Sequence, residues 1–250
     1  MENNIICIKN LIAGYDNDVI LNNISFDIIK GEIFIVLGTS GCGKSTLLRH
    51  MIGLDKPISG SIIINDVDIT ACSDSEFQKT LKKIGVLFQG SALFGSMTVG
   101  ENVALPIMEY SNLPKNVIDD LVKMKLYMVG LENYENHYPS EISGGMKKRA
   151  GLARALALNP EIVFLDEPSA GLDPVISAEI DELILYINQR IGTTMVIVTH
   201  ELQSIFTLAK RVIMLDKRKK GIIAEGDPKF LKDKSDNPFV RQFFNREARA

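Results

Sequence analysis

One stretch limits what this 250-residue chain can become more than any other: Gly38-Thr39-Ser40-Gly41-Cys42-Gly43-Lys44-Ser45-Thr46. It follows the apolar run Ile33-Phe34-Ile35-Val36-Leu37 and leads into Leu47-Leu48-Arg49-His50-Met51-Ile52. Strand, glycine-rich loop and helix, in that order, are the setting a phosphate-binding loop requires. Gly38, Gly41 and Gly43 let the backbone bend and bring its N–H groups near phosphate oxygens, where side chains would collide. The following helix points its partial positive end at the same place. Lys44 is positioned to neutralise the β- and γ-phosphates, and the Ser45 hydroxyl to ligate Mg²⁺. The expectation is an α/β chain that binds a nucleoside triphosphate.

Composition narrows the setting. With 46% hydrophobic and 24% charged residues the chain reads as an ordinary globular protein with ample core. A formal charge of −3 argues against broad, non-specific nucleic-acid binding. No apolar run reaches membrane-span length, and the start, Met1-Glu2-Asn3-Asn4, lacks the basic region and apolar stretch of a signal peptide. Cys7, Cys42 and Cys72 are odd in number, scattered and without zinc-ligand spacing, which suits a reducing cytoplasm. The chain is therefore expected in the cytosol, meeting any membrane through a partner.

Taken in order, Ile5 to Tyr15 and Ile20 to Ile28 read as two strands separated by a turn, Asp16-Asn17-Asp18. Tyr15 at the strand end suits packing there, and an aromatic ring can also stack on a nucleobase. The phosphate-loop helix is expected to end near Gly53. Pro57 and Gly60 mark a turn before strand Ser61–Ile64, and polar residues follow through Ser75. The run Ile84-Gly85-Val86-Leu87-Phe88 stops at Gln89, and beyond it the character becomes helical. Thr98 to Tyr110 reads as a helix that Pro106 kinks or ends. Lys115 to Val129 follows, with Val117, Leu121, Met124 and Met128 as its apolar stripe and Gly130 as its stop. Met97, Met108, Met124 and Met128 are expected to fill core. Ser143-Gly144-Gly145-Met146 opens a helix running to about Leu158, and Asn159-Pro160 stops it.

Ile162-Val163-Phe164-Leu165 is continuously apolar, as expected of a strand buried on both faces of a parallel sheet, and it ends in Asp166-Glu167. Asp173-Pro174 sets an N-cap and N1 proline ahead of a helix whose stripe is Ile176, Ile180, Leu183, Ile184 and Ile187. Strands Met195–Val198 and Val212–Leu215 complete the α/β pattern, with His200 just past the first. Lys217-Arg218-Lys219-Lys220-Gly221 reads as a solvated hairpin turn, and the chain from Gly226 as polar helical pieces.

The strand-end pair Asp166-Glu167 separates the possible phosphate-loop chemistries. Strand C-termini of a parallel sheet share one edge, so Asp166 can face the loop and hold Mg²⁺ through its water shell. Glu167 can then polarise an attacking water. At this point the sequence resembles the ATP-binding-cassette (ABC) ATPases over nearly its whole length. The resemblance is carried by Gly38–Thr46, Gln89 after Val86-Leu87-Phe88, Ser143-Gly144-Gly145-Met146-Lys147, Ile162–Asp166 with Glu167, Ala170-Gly171-Leu172-Asp173, and His200. It departs from the family in reading Ile-Ser-Gly-Gly-Met where Leu-Ser-Gly-Gly-Gln is commoner; the serine and glycines that touch phosphate remain, so activity is expected to survive.

The resemblance implies a P-loop NTPase with a RecA-like core of mainly parallel sheet (1–89 and 159–225), a small antiparallel β subdomain and a helical subdomain (90–158), followed by a tail (226–250). It implies that Tyr15 stacks on adenine, that Gly38, Thr39, Ser40, Gly41, Cys42, Gly43, Lys44, Ser45 and Thr46 cradle the ATP phosphates, and that Ser45, Gln89 and Asp166 serve Mg²⁺. Glu167 becomes the general base, His200 the switch on the γ-phosphate, and Gln89 the link to the helical subdomain. Cys42 is read as a small filler. Two copies would trap ATP head to tail, with Ser143, Gly144 and Gly145 of one closing over the phosphates held by the other.

Finer similarity points to the ATPase subunit of Mla-type phospholipid transporters. It lies in Leu93–Pro106, in Ile142–Ala155 and in Pro238-Phe239-Val240-Arg241-Gln242-Phe243-Phe244-Asn245. That implies an integral membrane permease docked near Gln89–Pro106, an MCE-domain protein and, in some members, a small STAS-domain protein, with no nucleic acid as partner. By the same similarity Phe239, Phe243 and Phe244 dock onto a neighbour, although packing within the chain would serve their burial equally. Other readings stay open: another importer, such as an amino-acid one, a soluble non-transport ABC protein, or a small-molecule kinase, which would not need Ser-Gly-Gly.

Overall fold

The computed structural model describes residues 3–15 and 18–247, and the chain divides into two units, Met1–Thr80 with Thr194–Ala250, and Leu81–Thr193. The expected turn residues Asp16 and Asn17 lie outside the described residues.

The first unit holds two sheets. Strands β1 (Asn4–Tyr15) and β2 (Asp18–Ile29) pair antiparallel, and β4 (Ser59–Ile64) and β5 (Val67–Asp68) extend that sheet beyond β1. Along β2, Ile24, Phe26 and Ile28 turn inward while Ser25 and Asp27 face water, the period-two alternation of a sheet with one wet side. The second sheet is built on β3 (Ile33–Gly38), flanked in parallel by β8 (Thr194–Val198) and β9 (Arg211–Asp216), with β10 (Gly221–Gly226) antiparallel outside β9. β3 and β8 are buried along their whole length, which is why they read as unbroken apolar runs.

From the end of β3 the chain turns into α1 (Lys44–Met51), which buries Leu47, Leu48 and Met51. Past β5, helix α2 (Asp74–Leu81) stands in the stretch whose start reads only as polar in sequence. Ser73 and Glu76 bond each other's backbone N–H at its start, and Thr80 is its one buried residue, so no apolar stripe announces it. The β9–β10 turn, Lys217–Lys220, is exposed as expected, with the Asp216 carboxylate accepting from Arg218 N–H at 2.8 Å and Lys219 N–H at 3.0 Å. Helices α7 (Leu202–Leu208), α8 (Pro228–Lys234) and α9 (Pro238–Asn245) finish the unit. Docking of the tail aromatics onto a neighbour does not hold for Phe244. It is buried, 5.7 Å from Phe206 and 5.5 Å from Phe243 between ring centroids, because α9 turns Val240 and Phe244 inward together.

In the second unit β6 (Ile84–Leu87) and β7 (Ile162–Asp166) pair in parallel, accompanied by α3 (Val99–Tyr110), α4 (Lys115–Met128), α5 (Gly144–Ala155) and α6 (Pro174–Ile191). Pro106 does not end its helix. The reciprocal Thr98–Glu101 cap and the buried residues Val99, Val103 and Ile107 hold α3 through to Tyr110. The stripe of α4 is displaced from the expected one: Ile118, Val122, Lys125 and Leu126 are buried, whereas Met124 is 46% exposed. The reason is Lys125, whose stem packs as an apolar residue while its Nζ donates to Asn159 Oδ1 at 2.6 Å. Met108 is exposed as well, so neither it nor Met124 fills core. α5 stops at Ala155, short of Leu158. Asp173 caps α6 as expected, accepting from Val175 and Ile176 N–H at 3.0 and 3.1 Å.

Candidate functional site

The phosphate-loop residues occupy the connection from β3 to α1. Gly43 sits at φ +101°, and a Cβ there would stand 2.7 Å from Leu21 Cδ2, so glycine is needed for both backbone and space. Lys44, first residue of α1, is buried, and its Nζ donates to the carbonyls of Gly38 at 2.9 Å and Thr39 at 3.3 Å. The ammonium is thus held over the loop whose N–H groups open the helix. Ser45 is exposed between buried Lys44 and Thr46, and Ser40 and Gly41 are exposed at the loop tip. Cys42 is buried as a filler, and burial pushes its thiol up from the ordinary range.

Tyr15 ends β1 and is 43% exposed, available for stacking. Its hydroxyl donates to Asp55 Oδ2 at 3.2 Å, and Arg49 clamps the same carboxylate through Nε at 2.7 Å and Nη2 at 3.0 Å. The hydrogen bonds from Arg49 hold the Asp55 carboxyl below its ordinary range. Sequence reasoning missed Arg49 and Asp55; the short step from α1 to the next turn was the available signal. His200 lies exposed just beyond β8, its Nε2 3.9 Å from Glu201 Oε1.

The second unit gathers the remaining residues. Asp166 is the last residue of β7 and Glu167 follows it, buried and at φ +48°. Gln89, two residues past β6, is exposed. Lys148 joins these segments, its Nζ donating to the carbonyl of Gln89 at 2.5 Å and that of Glu167 at 2.9 Å. Burial pushes the Lys148 ammonium down, opposed by the carboxylate charges of Asp166 and Glu167. Ser143 is the N-cap of α5 and accepts from Met146 N–H at 3.3 Å; Ser143 and Gly144 are exposed at the helix start, while Gly145 is buried against Ile176. An exposed hydroxyl at the start of a helix, where the first N–H groups lie outside the helical ladder, is suited to an anion. The residues read for Mg²⁺ (the Ser45 hydroxyl, Gln89 amide and Asp166 carboxylate) are all oxygen donors, the chemistry that hard cation takes.

The chain matches the family model described as ABC transporter over residues 21–170. A probable ribonucleotide transport ATP-binding protein of Mycobacterium leprae is 44% identical over 238 residues, 95% of this chain and 68% of its own length. The intermembrane phospholipid transport system ATP-binding protein MlaF of Haemophilus influenzae is 38% identical over 250 residues, 95% of this chain and 94% of its own. A methionine import ATP-binding protein of Carboxydothermus hydrogenoformans is 40% identical over 243 residues, 96% of this chain and 71% of its own. Among solved structures, a dimeric ATP-binding cassette in a post-hydrolysis state, bound to ADP and Pi, superposes with a TM-score of 0.81 at 32% identity, covering 89% of this chain and 98% of that one. Together with the loop, strand and helix geometry, these matches place the chain in the ABC transporter family, as an ATP-binding subunit that hydrolyses ATP.

Proposed function

We propose that the chain is the motor of a phospholipid transporter, working as a homodimer on the cytoplasmic face of a membrane through a permease, with an MCE-domain protein and a small STAS-domain protein as further partners. The observation that carries this reading is the match to MlaF, 38% identical with 95% of this chain and 94% of that protein covered. A second reading, another importer, is favoured by the higher identity of the ribonucleotide and methionine relatives, 44% and 40%.

The chemistry follows from the residues. One cassette is read as a core of 1–89 and 159–225, a helical part of 90–158 and a tail of 226–250. Tyr15 stacks on adenine, steadied by Asp55 and Arg49. The loop Gly38–Thr46 wraps the phosphates with backbone N–H groups, and Lys44 offsets their charge. Ser45, Asp166 and Gln89 would hold Mg²⁺, which would supply positive charge to offset that of the phosphates. Glu167, kept from bulk water by burial, accepts a proton from the attacking water, and His200 contacts the γ-phosphate. Ser143, Gly144 and Gly145 of the second copy close the other side. The dimeric state of the ADP- and Pi-bound cassette supports the paired arrangement.

Reconstitution tests the cargo. The chain should co-purify from membranes with a multi-span permease, and ATP turnover in proteoliposomes should move labelled phospholipid. Turnover driven by methionine or a ribonucleotide, with phospholipid left in place, would contradict the lipid reading and favour the second.

A further inference from the structure

Two cations of α5, buried Lys148 and partly buried Arg154, point at backbone. Lys148 is 5% exposed and reaches the carbonyls of Gln89 and Glu167. Six residues on, Arg154 donates through Nη2 to the carbonyl of Ser91 at 2.8 Å and through Nη1 to that of Ala92 at 2.7 Å. Three of the four gripped residues have backbones that L-residues seldom adopt: Glu167 at φ +48°, Ser91 at +61° and Ala92 at +47°. Between the cations, Gly151 lets the helix lie against the same segment, since a Cβ there would meet Leu87 Cδ1 at 2.6 Å and the Ser91 carbonyl at 3.3 Å. One rigid helix thus begins at Ser143 and, five residues later, holds the peptide units of Gln89 and Glu167.

We infer that Lys148 is a positioning residue, a latch by which movement of Ser143 at the head of α5 is transmitted to the backbones that carry Gln89 and Glu167. This rests on the reading of Glu167 as general base and of Ser143–Gly145 as the segment that meets the partner's nucleotide. In the head-to-tail pair, closure of α5 over one ATP then sets Glu167 for the other, so that neither site hydrolyses before both are closed. An apolar residue at 148 would still pack, but it would remove the tie from α5 to both carbonyls, that of Glu167 keeping its bond from Ala170 N–H at 3.3 Å. Glutamine keeps two N–H donors without charge and can grip them again.

The test uses the full chain and four proteins: wild type, Lys148→Met, Lys148→Gln and Glu167→Gln. Turnover is read by phosphate release, ATP affinity by equilibrium binding of a fluorescent ATP analogue, and folding by a cooperative melt. Lys148→Met is expected to lower kcat at least about tenfold with KM and analogue affinity within about twofold of wild type, the split that marks a group acting after binding. Lys148→Gln should bring kcat back to within about threefold. The latch is overturned if Lys148→Met keeps more than about half of wild-type kcat, or loses affinity in step with turnover. It is equally overturned if Lys148→Gln melts cooperatively yet is as slow as Lys148→Met; this variant decides the matter should Lys148→Met not fold. Wild-type turnover in Glu167→Gln would instead remove the base reading beneath the proposal, whatever Lys148 does.

Discussion

Two side chains test the site separately, one assigned to the chemistry and one to filling the loop. Glu167→Gln keeps shape and packing but cannot accept a proton, so ATP should still bind while turnover falls by about 10²–10⁴, measured as phosphate release beside retained nucleotide. Cys42 gives a second handle on the loop. Its thiol is buried and raised by burial, so the reactive thiolate is scarce at pH 7 and alkylation should quicken only as pH climbs past the ordinary thiol range. Once modified, the added bulk in the loop should abolish ATP binding; intact binding with mass-confirmed modification at Cys42 would refute the filler role. At this scale Lys44, Ser45, Asp166 and Glu167 were legible because the chemistry demands those residue types at set distances from a strand. Lys148 and Arg154 were not, because a lysine or arginine in a pattern reads as solvated. The visible signal was the stripe Lys148, Gly151, Ala155, small residues at helical spacing beside a cation, which marks a face pressed against backbone.

Elements were legible where an apolar period or a cap announced them. β3, β7 and β8 show as continuous runs and α6 as Asp173-Pro174 before a stripe, whereas α2 has one buried residue and little to announce it beyond Ser73 and Glu76. In α4 the period was right but its phase was not, since buried Lys125 displaced Met124 from the core face. Ser143 belongs to this scale as the cap of α5. Ser143→Ala should lower stability by about 1 kcal/mol in denaturant unfolding and should also slow hydrolysis, because the same hydroxyl is assigned to the partner's phosphate. A stability loss with unaltered turnover would leave it a cap alone. The tail makes a different claim: Phe244 packs on Phe206, so Phe244→Ala should cost about 3–5 kcal/mol in unfolding free energy. A shift below about 1 kcal/mol would mean that Phe244 contributes no core packing.

For the whole molecule, the sequence already carried the two motifs proposed to hold nucleotide and to close over it, because both are short and have fixed chemistry. What ties Lys148 to Gln89 and Glu167 was hidden, since it runs through carbonyl groups that every residue possesses. The proposed function assigns one side of each nucleotide site to the phosphate-loop residues and the other to the Ser143–Gly145 segment, and it needs both at once, from two copies. The direct measurement is the solution mass of Glu167→Gln with and without Mg-ATP, by sedimentation. ATP should raise the mass to twice the 27.7 kDa of one chain, and adding Ser143→Arg to the same protein should keep it at one chain while ATP still binds. A nucleotide-saturated Glu167→Gln that remains at the mass of a single chain across the accessible concentration range would contradict the paired site.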